Sequence, residues 1–209
     1  MADGSAWRRG ATGRTQNVSQ ASVHVENSTR WSELRRLVND RNIGGLSILA
    51  KTERDPASSY RTPEWLVERF STVLGGIELD PCTIASNPCG AERFLTPDDD
   101  GILQSWDANR IYVNPPYGKT IKHWVHKALE AAKSGSKVLL LVPGRTDARW
   151  FQGALQQSSG ALFFAGRLRF YSTLTGDESD APFPSVALAF NCSLDGLRDL
   201  GTLVVVKST

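Results

Sequence analysis

Four consecutive residues carry the chemical groups needed to hold a planar amino group. They are Asn114, Pro115, Pro116 and Tyr117. The Asn114 side-chain oxygen and the Pro115 carbonyl can each accept an N–H bond, and the proline rings restrict φ, so both acceptors keep their geometry. Such acceptors draw a nitrogen lone pair out of conjugation, while Tyr117 can stack on the attached ring. The segment therefore predicts catalysis at an exocyclic nitrogen, with acceptors preorganised for the positive charge that develops there.

The elements on either side place this segment at the edge of a sheet. A short apolar run over 110–113 is typical of a buried strand, and residues 120–133 repeat apolar side chains at helical spacing. A rigid turn without chemistry is the alternative for the Pro-Pro-Tyr run. The strand before it and the helix after it favour the catalytic interpretation.

Further elements alternate in the order of an α/β fold. Thr62 as N-cap and Pro63 at the first helical position predict a helix that ends at Gly75. The remaining pattern predicts strands over 76–80, 137–142 and 161–165, a helix over 147–157, an antiparallel hairpin between 167–171 and 185–190, and an edge strand over 201–207. The predicted fold class is α/β, with a mostly parallel sheet, right-handed crossovers and a C-terminal antiparallel hairpin.

Three chemically unusual turns follow predicted strands. They are Asp80-Pro81, the Asn114–Tyr117 segment and Pro143-Gly144. Ligands of open α/β sheets bind outside the carboxyl ends of the strands. We therefore expect a binding site at the sheet edge where these turns meet.

The charge is unevenly distributed along the 209 residues, although the net charge is only +2. Residues 1–28 are rich in Gly, Ser, Thr, Asn and Arg, and we predict a basic, partly disordered arm over 1–60 ahead of a single domain over 61–209. Residues 119–149 hold seven Lys or Arg against two Asp or Glu. This basic segment favours a polyanionic partner, and a solvated lysine face is the alternative.

Cysteine and hydropathy patterns restrict the class of protein further. The three cysteines, Cys82, Cys89 and Cys192, show no metal-ligand spacing, so we predict no metal site and a reducing, intracellular environment. We find no apolar run long enough to span a membrane and no secretory signal pattern. The sequence leaves the oligomeric state open.

Several motifs in order resemble the phage-type, Dam-like DNA N6-adenine methyltransferases. The similarity covers about residues 60–190 and rests on Arg61-Thr62-Pro63, Glu78-Leu79-Asp80-Pro81, Asp100-Gly101-Ile102-Leu103, Asn114–Gly118, Leu141-Val142-Pro143 and Gly166-Arg167. The resemblance implies a class I, Rossmann-like methyltransferase fold, S-adenosylmethionine as cofactor, and adenine in double-stranded DNA as substrate. It also implies that the target base is flipped out of the helix and that the protein works in the cytoplasm of a bacterium or a phage-infected host.

The resemblance suggests roles for residues outside the Asn-Pro-Pro-Tyr segment. Thr62 and Pro63 would place a helix N-terminus near the methionine carboxylate of the cofactor. Asp80, followed by Pro81, would accept from its ammonium group, and Asp100 would contact its adenine amine. A plain N-cap, a turn and a solvated acidic loop are the respective alternatives.

Two departures from the usual methyltransferase pattern follow Asp80. The next seven residues contain no glycine, and only thirty-odd residues separate Asp80 from Asn114, too few for two full crossovers. We expect a sheet that is trimmed on this side.

Basic residues are the candidates for contact with DNA phosphates. They are Lys119, Lys122, Arg145, Arg149, Arg167 and Arg169, and ordinary surface charge is the alternative. Two other functions stay open at this point. The same four residues can hold an RNA amino group or a protein glutamine amide, and a homologue without cofactor affinity would bind nucleic acid without catalysis.

Overall fold

The computed structural model describes residues 60–172 and 177–206. Apart from Tyr60, the arm predicted over 1–60 lies outside these residues. Within them the chain forms three α-helices, namely α1 (Glu64–Leu74), α2 (Ile121–Lys133) and α3 (Arg149–Gln157). It also forms ten strands: β1 (Tyr60–Arg61), β2 (Leu79–Asp80), β3 (Arg93–Phe94), β4 (Arg110–Val113), β5 (Lys137–Pro143), β6 (Gly160–Phe164), β7 (Arg169–Ser172), β8 (Glu178–Asp180), β9 (Ser185–Phe190) and β10 (Gly201–Val205).

Seven of these strands form a central sheet in the order β10-β6-β9-β5-β4-β2-β3. The pairs β3–β2, β2–β4 and β4–β5 are parallel, while β9 is antiparallel to both β5 and β6, and β10 is antiparallel to β6. Five strands therefore run in one direction and two in the other. The prediction of a mixed α/β fold with a mostly parallel central sheet is confirmed, as is the edge strand near the C-terminus.

Strand β5 shows why both faces of the sheet are covered. Val138, Leu140 and Val142 pack in one core cluster with side chains of α2 and α3. Leu139 and Leu141 point the other way and pack in a second cluster with side chains of α1. Successive residues of a strand face opposite sides, so an unbroken Val/Leu run requires apolar cover on both.

The predicted hairpin between 167–171 and 185–190 is wrong. Strand β9 instead lies in the middle of the central sheet, between β5 and β6. All six of its side chains are buried, which suits a central position. Strand β7 pairs with β1 and β8 in a separate three-stranded antiparallel sheet.

The start of α1 also differs from the expectation. The helix begins at Glu64, Pro63 occupies the N-cap position with extended backbone, and no side chain caps the helix. Thr62 is thus not the N-cap, because its hydroxyl is bonded to side chains of the sheet. The predicted end of the helix is confirmed, since Gly75 adopts the left-handed conformation with φ 80°.

The connection from β2 to β4 contains no full helical crossover, as the small number of residues between them predicted. Within residues 81–109 the structure has β3 and a single-turn 3-10 helix over Pro97–Asp99, with no α-helix. After that turn, Gly101 lies so close to β2 that a Cβ atom there would collide with the Pro81 carbonyl oxygen and approach the Trp124 ring. A glycine is needed here because backbone, not a flexible side chain, fills the space.

We expect Gly101→Ala to lower the free energy of unfolding by about 1–3 kcal/mol, because the loop must move away from Pro81 to admit the methyl group. Gly153→Ala is the matched control. Gly153 lies within α3 with no atom near the added Cβ, so this variant should gain up to about 1 kcal/mol from helix propensity. Urea denaturation measures both, and equal effects of the two substitutions would contradict the proposed collision.

Candidate active site

A cleft opens at the carboxyl ends of β2 and β4. Asp80 ends β2 and Asn114 directly follows β4, and both line this cleft. The other walls come from residues 60–62, the loop after Asp80, and residues 179–183 beside the three-stranded sheet. A cleft therefore lies at the sheet edge where the sequence predicted a binding site. The third predicted turn, Pro143-Gly144, lies behind one wall, where the Gly144 N–H donates to the Pro184 carbonyl at 2.7 Å.

The amide of Asn114 is held in one orientation. Its Nδ2 donates to Thr62 Oγ1 at 3.1 Å, and Thr62 Oγ1 shares a 2.7 Å hydrogen bond with the Tyr112 hydroxyl. No residue in the described ranges donates to Asn114 Oδ1 or to the Pro115 carbonyl oxygen. Two carbonyl-type acceptors are thus open on cleft-lining residues, adjacent in sequence and fixed by proline geometry.

Pro115, Pro116 and Tyr117 continue the same wall of the cleft. The Tyr117 ring packs against the core cluster that includes Trp124. Its hydroxyl is sealed from solvent and has no hydrogen-bond partner in the part of the chain that the structure describes. Burial raises the pKa of Tyr117 well above its usual value, so the side chain is neutral and presents itself as an aromatic surface.

Asp80 is a buried carboxylate surrounded by weak donors. It is 3 % exposed. Its Oδ1 accepts from the Cys82 N–H at 3.1 Å. Burial raises the pKa of Asp80 to about 6, while hydrogen bonds from Cys89, Cys82 and Thr83 lower it. Burial also raises the pKa of both thiols, so they act as neutral donors to the carboxylate. A buried carboxylate at a cleft wall is a suitable partner for a cationic ligand group.

Arg61 is the cation among the residues that line the cleft. Its Nε is buried and has no hydrogen-bond partner within residues 60–172 and 177–206. The guanidinium carbon lies 6.0 Å from the centre of the Tyr171 ring. An arginine with an unused donor in a cleft is suited to bind a carboxylate or a phosphate.

The wall opposite the β-strand ends includes an aromatic ring. Phe183 lines the cleft, and the Arg145 guanidinium lies over its ring at 3.8 Å. Arg145 itself is exposed. The predicted phosphate contact at Arg145 stays a prediction, and the structure shows this residue packed on an aromatic side chain that lines the cleft.

The other predicted contacts lie apart from the cleft lining. Lys119, Lys122 and Arg149 are exposed at or near the starts of α2 and α3. Arg167 donates to the Ala181 carbonyl at 3.1 Å, and Arg169 is ion-paired with Glu178 at 3.1 Å and Asp180 at 3.8 Å. Arg169 is therefore engaged within the three-stranded sheet, and Arg167 is bonded to a residue that directly follows its strand β8.

Three predicted cofactor residues do not line the cleft. Pro63 and Pro81 are buried beside cleft residues without lining the cleft. Asp100 is half-buried with φ 52° and is also absent from the lining. Its neighbour Asp99 forms the local capping interaction instead, accepting from the Thr96 N–H and hydroxyl at 2.8 Å each, which lowers the pKa of Asp99.

Sequence reasoning missed several residues of the site. Tyr112, Cys82, Cys89, Arg61 and Phe183 all line the cleft. In the sequence, Tyr112 has the residue type of an ordinary buried strand position. The one sign of a polar role is its hydroxyl, which stands next to apolar residues. Cys82 and Cys89 follow Asp80 closely, but their common contact with its carboxylate arises from the folding of the loop.

The described residues show neither a metal-binding cluster nor a membrane-spanning helix. They contain no group of three His, Cys, Asp or Glu side chains placed to hold a metal ion. None of their helices combines the length and the apolar character needed to cross a membrane.

Comparison with known protein families gives a match to the Dam family, described as DNA N-6-adenine-methyltransferase, over residues 47–204. The chain belongs to this family. The resemblance predicted from the motifs is thereby confirmed, and the family implies adenine methylation with DNA as substrate. A search among curated proteins found no match. In this Dam-family chain, the matched region includes every residue that lines the cleft.

The raised pKa of Asp80 predicts a pH-dependent stability. Because its folded pKa of about 6 exceeds the unfolded value of about 3.9, the native state binds the extra proton between these values. The contribution is full below about pH 4 and is lost as the pH rises through about 6, a difference of about 3 kcal/mol. Urea titrations below pH 4 and well above pH 6 measure the free energy of unfolding of both proteins. Between these conditions we expect wild type to lose about 3 kcal/mol more than Asp80→Asn. Parallel pH profiles for the two proteins would refute the assignment.

Proposed function

We propose that this protein transfers a methyl group from S-adenosylmethionine to N6 of adenine in double-stranded DNA, with the target base flipped into the cleft. The orientation of Asn114 carries the proposal. Its Nδ2 is committed to Thr62, which leaves Oδ1 as an acceptor beside the open Pro115 carbonyl. An amino group has two N–H donors, and this wall offers two matching acceptors.

The chain's own residues would act on the amino group in one step. Asn114 Oδ1 and the Pro115 carbonyl each accept one N–H, which turns the nitrogen lone pair out of the ring plane. When bound, S-adenosylmethionine supplies an activated methyl group on a sulfonium centre. As the N–C bond forms and the C–S bond breaks, the two acceptors stabilise the positive charge on nitrogen. The extra proton then leaves to water, so no strong general base is required.

The charged groups of the cleft fit the amino-acid end of this cofactor. Asp80 is a buried carboxylate suited to an ammonium group, and Arg61 has an orphaned Nε suited to a carboxylate. We propose these two residues as the zwitterion site. The short, glycine-free loop after Asp80 provides Cys82 and Thr83 as further lining.

Access to the amino nitrogen requires that the base leave the duplex, because Asn114 lies in a concave site bounded by Tyr117 and Phe183. Tyr117 would stack on the extruded base. The exposed side chains of Lys119, Lys122, Arg145 and Arg149 are available for backbone phosphates.

We also propose the class I, Rossmann-like assignment for the fold. Five strands of the central sheet share one direction, and β9 enters antiparallel between two of them. The cleft lies at the carboxyl ends of the parallel strands, where such folds bind their ligands.

Loss of the Asn114 acceptor should abolish methyl transfer while the cofactor still binds. We expect Asn114→Ala to lower kcat by at least about 100-fold, as for other preorganised catalytic groups. Transfer of labelled methyl from S-adenosylmethionine to unmethylated duplex DNA measures kcat, and calorimetry measures cofactor affinity. Asn109→Ala, an exposed asparagine just before β4, is the matched control. If the wild-type protein methylated RNA or a glutamine peptide but not DNA, the substrate assignment would be wrong. If it did not bind S-adenosylmethionine, the assignment as a methyltransferase would be wrong.

The ring of Tyr117, rather than its hydroxyl, should matter for catalysis. Because the hydroxyl is buried without a partner in the described structure, Tyr117→Phe should keep wild-type activity and gain up to about 1 kcal/mol of unfolding free energy. Tyr117→Ala removes the stacking surface and should lower kcat/KM by roughly tenfold or more. An inactive Tyr117→Phe enzyme would show that the hydroxyl has a chemical role.

A further inference from the structure

A hydrogen-bonded chain of three side chains runs from the core to the cleft. It joins the Tyr112 hydroxyl to Thr62 Oγ1 at 2.7 Å, and Thr62 Oγ1 to Asn114 Nδ2 at 3.1 Å. Tyr112 is 1 % exposed and Thr62 is 7 % exposed. Residues 60–172 and 177–206 offer Thr62 Oγ1 no other hydrogen-bond partner, so its bonding is set by Tyr112 and Asn114.

The orientation of the Asn114 amide decides whether the site can accept an amino group. A primary amide has nearly the same shape after rotation by 180°, but the rotation exchanges a carbonyl oxygen for an NH2 group. In the rotated form, Asn114 would direct donors toward a substrate that also has only donors on its amino nitrogen. One of the two orientations is therefore unproductive.

Tyr112 can select the productive orientation through the single proton of Thr62. When Thr62 donates this proton to the Tyr112 oxygen, its own oxygen has only lone pairs left for Asn114 and accepts from Nδ2. Without the Tyr112 hydroxyl, the Thr62 proton is free to bond Asn114 Oδ1, which stabilises the rotated amide.

The position of the Tyr112 hydroxyl is fixed by the fold. Tyr112 lies in the middle of β4, opposite Leu139 of the neighbouring β5, and its ring packs 5.5 Å from that of Phe70 on α1. Thr62 precedes α1 and follows β1. The chain thus anchors a cleft residue to the rigid core.

We propose that Thr62 and Tyr112 are positioning residues that fix the Asn114 amide with its oxygen toward the substrate amino group. This inference rests on the proposed function and gives Thr62 a role in the chemistry in place of the helix cap expected from the sequence. Their effect passes through Asn114, so it concerns the reaction step rather than the binding of DNA or cofactor.

Steady-state kinetics with duplex DNA tests the proposal. We expect Thr62→Val and Tyr112→Phe each to lower kcat by about tenfold, as for loss of one orienting hydrogen bond. The KM for DNA and the calorimetric affinity for S-adenosylmethionine should stay near wild type. Thr62→Ser keeps the hydroxyl and should restore kcat. Thr72→Val, whose hydroxyl bonds only the Glu68 carbonyl in the described structure, is the matched control and should be unchanged.

A double variant separates positioning from general damage. Thr62→Val with Tyr112→Phe should be no slower than the slower single variant, because both break the same chain. Multiplied losses, or equal losses in KM and cofactor affinity, would overturn the proposal. Wild-type kcat in Tyr112→Phe would overturn it as well.

A second measurement does not depend on catalysis. In protein labelled with 15N-asparagine, the Asn114 Nδ2 signals can be assigned by their loss in Asn114→Asp. We expect slow hydrogen exchange of these protons in wild type and faster exchange in Thr62→Val and Tyr112→Phe. Equal exchange in all three proteins would refute the orienting chain even if the wild type transferred no methyl group. Slow exchange in a protein without transferase activity would instead refute the proposed function and leave the chain in place.

Discussion

The hydrogen bond from Asn114 Nδ2 to Thr62 Oγ1 is the constraint on which the site depends. It joins the exit of β4 to the residue that precedes α1, and it fixes which end of the amide faces the cleft. The surrounding structure holds the two partners of this hydrogen bond in place. Proline rings restrict the backbone after Asn114, and the Tyr112 hydroxyl behind Thr62 belongs to the buried centre of the sheet. Asn114 is therefore tied to the core by hydrogen bonds, although it follows the end of the strand.

The charged groups that line the cleft have few hydrogen-bond partners in the described structure. Asp80 is buried without a salt bridge in the described structure, and neutral thiols and a backbone N–H are its donors. A carboxylate held in this way is only weakly satisfied, which leaves it able to gain from a cationic ligand. Arg61 shows the complementary condition, with a buried Nε that lacks an acceptor. Two opposite charges that line one cleft without bonding each other are suited to a zwitterionic ligand.

Local sequence signals predicted the elements well but failed where pairing is long-range. Local patterns located α2 and β5 to within a residue or two, because the buried face of α2 repeats at helical spacing and β5 is an unbroken apolar run. The hairpin from 167–171 to 185–190 was wrong, because neighbouring strands in sequence pair by default and the burial of all six β9 side chains overrode that tendency. Threonine is likewise a favoured N-cap residue, but the Thr62 hydroxyl forms a buried hydrogen bond with Tyr112 and does not cap α1.

The sequence by itself determined the chemistry that is available here. Asn114, Pro115 and Tyr117 at the end of an apolar strand specify two acceptors and a ring, because those properties belong to the residues and their immediate backbone. The tertiary structure alone decided which partners surround them. Thr62 lies 52 positions from Asn114 and Tyr112 lies 50 from Thr62. Contacts over such separations depend on how helices and strands pack, and no local pattern encodes them.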